Sequence, residues 1–201
     1  MAGSISPRKE IIEVMKLLYD RGLINIMGGN ASIVDRTRGI VYISPSAVPK
    51  NLLKPEDIAV ISLNGDVISG NPSSEYRMHL SIYRMIPRAK SVLHAHLPHA
   101  VLAGDLGLVL NPLKYVESKY TVGDCVSMVP SLPSGSKELA EATAGALART
   151  GCRVAILLGH GAVAYSDKSL YHALDSLEGL EFLSYLEIKR FEIGNSLSLK
   201  H

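Results

Sequence analysis

Only two cysteines occur in this 201-residue chain, and no block of lysine and arginine breaks its mixed charge pattern. No apolar run approaches the roughly 20 residues that cross a bilayer. Each lack removes a class of protein. The spacing of Cys125 and Cys152 fits neither a C-x-x-C redox motif nor a zinc knuckle, so two buried thiols are expected. Without a long apolar run no membrane helix is expected. Without a basic block nothing tracks a phosphate backbone, and nucleic acid is not an expected partner. The first ten residues are polar and carry no secretory pattern, which makes the cytoplasm the expected location. No repeat, linker or low-complexity segment divides the chain. Residues 1–201 therefore read as one domain, and a composition of 47% hydrophobic and 20% charged residues is globular.

The periodicities supply the elements. Ser6-Pro7 reads as cap and first position of a helix carrying Ile11, Met15 and Leu18 on one face, with Arg21-Gly22 as its stop. Short β-prone runs follow at Ala31 to Val34, Ile40 to Ser44, and Ile58 to Leu63, the last joined through Asn64-Gly65 to Asp66–Ser69 as a hairpin. Pro72-Ser-Ser-Glu75 opens a helix with Met78, Ile82 and Ile86 on one face, which Pro87 ends. A strand through residues 91–96 comes next, then a short helix from Pro98 to Leu106 and a strand from Val126 to Pro130. A helix over Ser136 to Arg149 precedes strands at Arg153 to Leu158 and Ala162 to Ser166. A last helix begins near Ser169 with Leu170, Leu174, Leu177 and Leu180 at its core face. Hairpins mixed with covering helices predict a largely antiparallel sheet with helices on both faces.

His94 and His96 stand at alternate positions, so on a strand both imidazoles leave one face, read by themselves either as two histidines of a half-exposed strand or as a pair that grips one ion. His160 follows a second strand-like run and is flanked by Gly159 and Gly161. Three neutral imidazoles with one position open are the ligand set of a catalytic rather than a structural zinc. Gly28-Gly-Asn-Ala-Ser32 reads either as an anion-binding nest or as a plain loop into a strand. Ser73-Ser74 reads either as a seat for phosphate at a helix N-terminus or as an ordinary cap. Glu75 is either a charge favoured by the helix dipole or a base aimed at what the metal holds. The latter task calls for a pKa raised by partial burial. Of His79, His99, His172 and His201, only His99 is expected near the site.

Taken together, Gly28-Gly-Asn-Ala-Ser32, Ile43-Ser-Pro-Ser-Ala47, Leu53-Lys-Pro-Glu-Asp-Ile58, Pro72-Ser-Ser-Glu75, His94-Ala-His96 and Leu158-Gly-His-Gly161 resemble the class II aldolase/adducin family. Their order and approximate spacing match it over nearly the whole chain, most closely its fuculose-phosphate aldolase branch. The resemblance implies a three-layer αβα sandwich with a central, mainly antiparallel sheet, assembled as a homotetramer with active sites between subunits. It implies Zn2+, or another divalent metal such as Mn2+ or Co2+, on His94, His96 and His160. Glu75 matches the catalytic acid/base. Gly29, Asn30, Ser46, Ala47, Ser73 and Ser74 match the phosphate pocket, and Tyr115 falls near a tyrosine that assists protonation from an adjacent subunit. The implied partner is a phosphorylated small sugar, cleaved to dihydroxyacetone phosphate and an aldehyde. Met27 stands where relatives often carry threonine or serine, and Ala47 where glycine is common.

Other activities share parts of this pattern. Ribulose-phosphate 4-epimerases use the same bond-breaking chemistry and rejoin the fragments. A dehydratase of methylthioribulose 1-phosphate shares the metal triad. An adducin-like binding module would dispense with the histidines and Glu75, which are retained here. A hydrolase of the H-x-H-x-D-H kind fails, because Leu97-Pro98-His99 follows His96.

Overall fold

The computed structural model describes residues 5–198. Ser6 caps α1 (Pro7–Asp20) by accepting the Lys9 amide, and Pro7 fills the first position, where a missing N–H costs nothing. Its apolar stripe, Ile11, Val14, Met15 and Leu18, is fully buried. Eight strands follow along the chain: β1 (Asn30–Asp35), β2 (Ile40–Ile43), β3 (Ala59–Ser62), β4 (Val67–Ser69), β5 (Ser91–Ala95), β6 (Val126–Val129), β7 (Val154–Leu157) and β8 (Gly161–Ser166). They form one sheet in the order β4-β3-β2-β1-β5-β8-β7-β6. Neighbours run antiparallel throughout, apart from β6 beside β7.

Alternation along each strand divides the core in two, because successive side chains leave opposite faces. Leu93, Val154, Ile156, Ala162 and Ala164 pack under α1, α3 (Pro98–Asp105) and the long α6 (Leu170–Ser198). Val92, Ala155, Leu157, Val163 and Tyr165 pack under α2 (Tyr76–Met85) and α5 (Lys137–Thr150). Three layers with a mainly antiparallel sheet are what the sequence predicts. The central strand β5 lies between β1 and β8, so buried His94 and half-buried His96 emerge at the middle of the sheet.

The short α4 (Val116–Thr121) is absent from the sequence reading, because six residues give no period to detect. Local bonds hold it instead: the Ser118 hydroxyl donates to the carbonyl of Pro112 at 2.7 Å. The expectation of two free thiols is also corrected, since Cys125 and Cys152 form a disulfide. Each cysteine lies just before one strand of the parallel pair, whose register sets Val126 opposite Val154. That register brings their Cα atoms to 5.3 Å across 27 residues of sequence, and nothing in the spacing reveals it. No helix among the described residues is long and apolar enough to cross a membrane.

Candidate metal centre and catalytic cleft

The site gathers where β5 ends, where β7 turns into β8, and where α2 begins. His94 is fully buried, and its Nδ1–H donates to the Ala162 carbonyl at 3.0 Å across the β5–β8 ladder. That bond fixes the tautomer and turns the Nε2 lone pair into the cleft. His96 follows directly after the last residue of β5, on the same side as His94. His160 comes from the tight turn between β7 and β8, where its amide donates to Leu157. Ring centroids lie 5.1 Å apart for His94 and His96, 4.8 Å for His94 and His160, and 5.7 Å for His96 and His160. One nitrogen from each can be chosen so that all three lie within 4.8 Å of one another.

Two glycines make this convergence possible. A Cβ on Gly161 would lie 2.3 Å from the Ala95 carbonyl oxygen and 3.1 Å from the His94 ring. A Cβ on Gly28 would lie 2.7 Å from the His96 ring. Any larger residue at either place would push a histidine aside.

Glu75 occupies the cap position of α2 with only 5% exposure, so it is not a solvated dipole charge. Its Oε1 accepts the Ser134 hydroxyl at 3.0 Å and lies 3.5 Å from His160 Nε2. Its Oε2 accepts the Asn30 amide at 2.9 Å and lies 3.2 Å from His94 Nε2. Behind Asn30 runs a buried chain of hydrogen bonds. His79 Nε2–H donates to Asn30 Oδ1 at 2.5 Å, the Ser32 hydroxyl donates to His79 Nδ1 at 2.6 Å, and Tyr83 donates to the Ser32 carbonyl at 2.9 Å. The carboxylate fixes the first links of this series. The Asn30 NH2 must face Glu75, so its oxygen accepts the His79 Nε2–H, and burial, which lowers His79 to about 3, keeps that ring neutral with Nδ1 as an acceptor.

Burial acts to raise the Glu75 pKa, but His94, the Asn30 amide, His160 and the Ser134 hydroxyl outweigh it and hold the group at about 2. The expected rise is thus reversed, because donors and imidazoles surround a carboxylate that burial alone would protonate. Burial lowers His94 to about 4 and also lowers His96. At neutral pH the centre therefore holds an anion facing imidazole lone pairs. Among the described residues, His94 Nε2 and the buried His160 Nδ1 find no hydrogen-bond partner. Acceptors converging on one point, with buried nitrogens left bare, fit a bound cation.

These shifts predict acid sensitivity. His94 and His79, the latter lowered to about 3 by burial, titrate well below an unfolded histidine near 6.5. The unfolded state binds their protons first, so the stability they contribute is complete above pH ~6.5 and is lost as pH falls toward 4 and 3. Each should contribute a slope of about 1.4 kcal/mol per pH unit within that window. Thermal unfolding in chelator should show Tm dropping steeply from pH 6.5 to 4. A flat profile would show that neither histidine is buried neutral.

Gly29, Asn30, Ser46, Ala47, Ser73, Ser74, Glu75, His96 and His160 line one cleft of about 220 Å3, with Lys50 and Ser134 beside them. A larger cavity, about 500 Å3, opens around the disulfide at the other end of the sheet and holds none of these residues. Several groups are already engaged. The Asn30 side chain serves Glu75 and His79, and the Ser73 hydroxyl accepts the Glu75 amide at 3.3 Å as a cap. Ala47 adopts φ 55°, a left-handed conformation that glycine would take without cost. Tyr115 does not line the cleft: its hydroxyl donates to Glu187 on α6 at 2.9 Å. His99 pairs with Glu181 of α6 and likewise lies outside it, and His201 lies outside the described residues.

The family model for the class II aldolase and adducin N-terminal domain matches residues 9–188. The chain belongs to that family. A 5-deoxy-D-ribulose 1-phosphate aldolase of Bacillus thuringiensis is 34% identical over 190 residues, covering 93% of this chain and 86% of the relative. An L-fuculose phosphate aldolase of Methanococcus maripaludis is 34% identical over 181 residues, covering 88% and 93%. A solved L-fuculose 1-phosphate aldolase superposes with a TM-score of 0.87 at 29% identity, over 96% of this chain and 89% of that one. As a class II aldolase the protein is a lyase of a divalent-metal-dependent kind, and the histidine triad is the group able to hold the metal.

Proposed function

We propose that the protein cleaves and forms a carbon–carbon bond of a ketose phosphate of the fuculose 1-phosphate type, giving dihydroxyacetone phosphate and an aldehyde in the cytoplasm. The observation that carries this reading is Glu75, an ionised buried carboxylate facing three imidazoles in a cleft whose other wall is loop backbone and hydroxyls. Zinc, or Mn2+ or Co2+ in its place, held by His94, His96 and His160 supplies a Lewis acid that polarises a carbonyl and stabilises charge on its oxygen. Glu75 takes up and returns the proton at the carbon where the bond breaks. It is ionised at neutral pH and so free to accept a proton, while Asn30 and Ser134 hold its two oxygens in register. Gly29, Asn30, Ser46, Ala47, Ser73 and Ser74 form the wall for the phosphate, so that remote binding energy aligns the reacting end.

Tyr115 enters this reading from a neighbouring subunit of a homotetramer. Support comes from its absence from its own chain's cleft and from the exposed apolar side chains near it, Val109, Leu113, Val116 and Tyr120.

The test compares a ketose phosphate with its dephosphorylated analogue in Ser46→Ala, Ser74→Ala and the double variant. A hydrogen bond to a charged group contributes roughly 1.5–3 kcal/mol, so each loss should cost about 10- to 100-fold on the phosphorylated substrate alone. Equal losses on both substrates, with metal content intact, would overturn the assignment of substrate class.

A further inference from the structure

Lys50 is a buried cation without a counter-charge. It is 2% exposed, yet its ammonium meets only two carbonyl oxygens, those of Pro45 at 2.6 Å and Val48 at 3.2 Å. It forms no ion pair with a carboxylate among the described residues, and one N–H of three is left over. Burial lowers its pKa, the expected response of an ammonium removed from water. Such a charge is costly to keep unless an anion comes to meet it.

Its position says which anion. Lys50 lines the same cleft as Glu75 and the histidines, and among the described residues it is the one lysine or arginine that does so. Three loops of the cleft wall meet around it. Its amide donates to Ile26 at 2.8 Å, just before Gly28 and Gly29, and Pro45, which its side chain holds, bridges to Pro72 beside Ser73 and Ser74. The backbone donors of this wall are partly spent, since the Ser46 amide goes to Asn71 and the Ser73 amide to Ser44. Hydroxyls and the remaining amides can orient a phosphate but cannot neutralise it. Glu75, the acidic residue lining the cleft, faces the imidazoles and is bonded by Asn30 and Ser134.

We propose that Lys50 is the counter-charge for the substrate's phosphate, making the cleft selective for a dianionic phosphomonoester over a neutral sugar. This rests on the phosphate-wall reading given above and assigns to it a residue that the sequence motifs leave out. The ammonium keeps its two carbonyl bonds and gives its remaining N–H to a phosphate oxygen. It thereby fixes the Pro45–Lys50 loop and the ligand together.

The experiment measures kcat/KM for a ketose phosphate and its dephosphorylated analogue in the metal-loaded protein, in wild type, Lys50→Met and Lys50→Arg. Wild type should prefer the phosphate ester strongly; no preference would refute the phosphate reading itself. Given that preference, Lys50→Met should lower the ratio of the two kcat/KM values about 10- to 100-fold, chiefly through KM, and Lys50→Arg should restore most of it. An unchanged ratio in Lys50→Met, with both substrates weakened alike or neither, would reduce Lys50 to a support for its loop and overturn the proposal. Should Lys50→Met not fold, 15N-lysine NMR of the wild-type protein decides the matter, with Lys50→Arg assigning the Nζ signal. Titrated inorganic phosphate should shift that signal at concentrations where chloride does not, and the absence of a shift would refute the assignment.

Discussion

His160→Ala should leave a folded protein that holds no metal at its centre and has lost activity by at least about 10³-fold, since Lewis-acid stabilisation contributes several kcal/mol. The fold should survive because His160 sits in a turn outside the two cores, bonded through its amide rather than its ring. His94→Ala tests the same centre less cleanly, as it also opens a fully buried position and frees the Ala162 carbonyl. Metal content by elemental analysis, read beside activity and circular dichroism, checks the prediction. Full occupancy in His160→Ala would mean that the third ligand has been misassigned.

Glu75→Gln should keep the fold and the metal while lowering turnover about 10²- to 10⁴-fold, the usual contribution of a general acid/base. The amide can be accommodated. Its oxygen can still accept from Asn30, and its NH2 can turn to Ser134, whose hydroxyl accepts as well as donates. Glutamine supplies no lone pair of comparable basicity to take a proton from carbon. The loss should therefore fall on kcat, with KM changed little. Turnover within a few-fold of wild type would leave Glu75 a structural charge at the start of α2.

The convergence of His94, His96 and His160 was legible in the sequence because its logic is local. A period of two on a strand puts His94 and His96 on one face, and the glycines around His160 announce a close approach, seen at Gly161, where a Cβ would lie 2.3 Å from the Ala95 carbonyl oxygen. The layers were legible for a similar reason, as stripes at helical spacing and short alternating runs are written in neighbouring residues. What could not be read depends on contacts between distant segments. The disulfide needs the parallel register of β6 and β7, and His79 needs Asn30 and Ser32 brought across from β1. Lys50 looks like a surface lysine in a loop until the loops on either side close over it. The direction of the Glu75 pKa went astray for a related cause. Burial is foreseeable from sequence, while what outweighs it is His94 first, then Asn30, His160 and Ser134, which the fold brings in from 45 positions before to 85 positions after.

The central claim is that this centre breaks a carbon–carbon bond of a ketose phosphate. It is tested most directly by incubating the purified, metal-analysed protein with ketose 1-phosphates and 5-phosphates and following the products by NMR. Release of dihydroxyacetone phosphate with an aldehyde, abolished in both His160→Ala and Glu75→Gln, is the predicted result. Inversion of a carbon centre without fragments, loss of water, or no conversion of any ketose phosphate by the metal-loaded protein would contradict it.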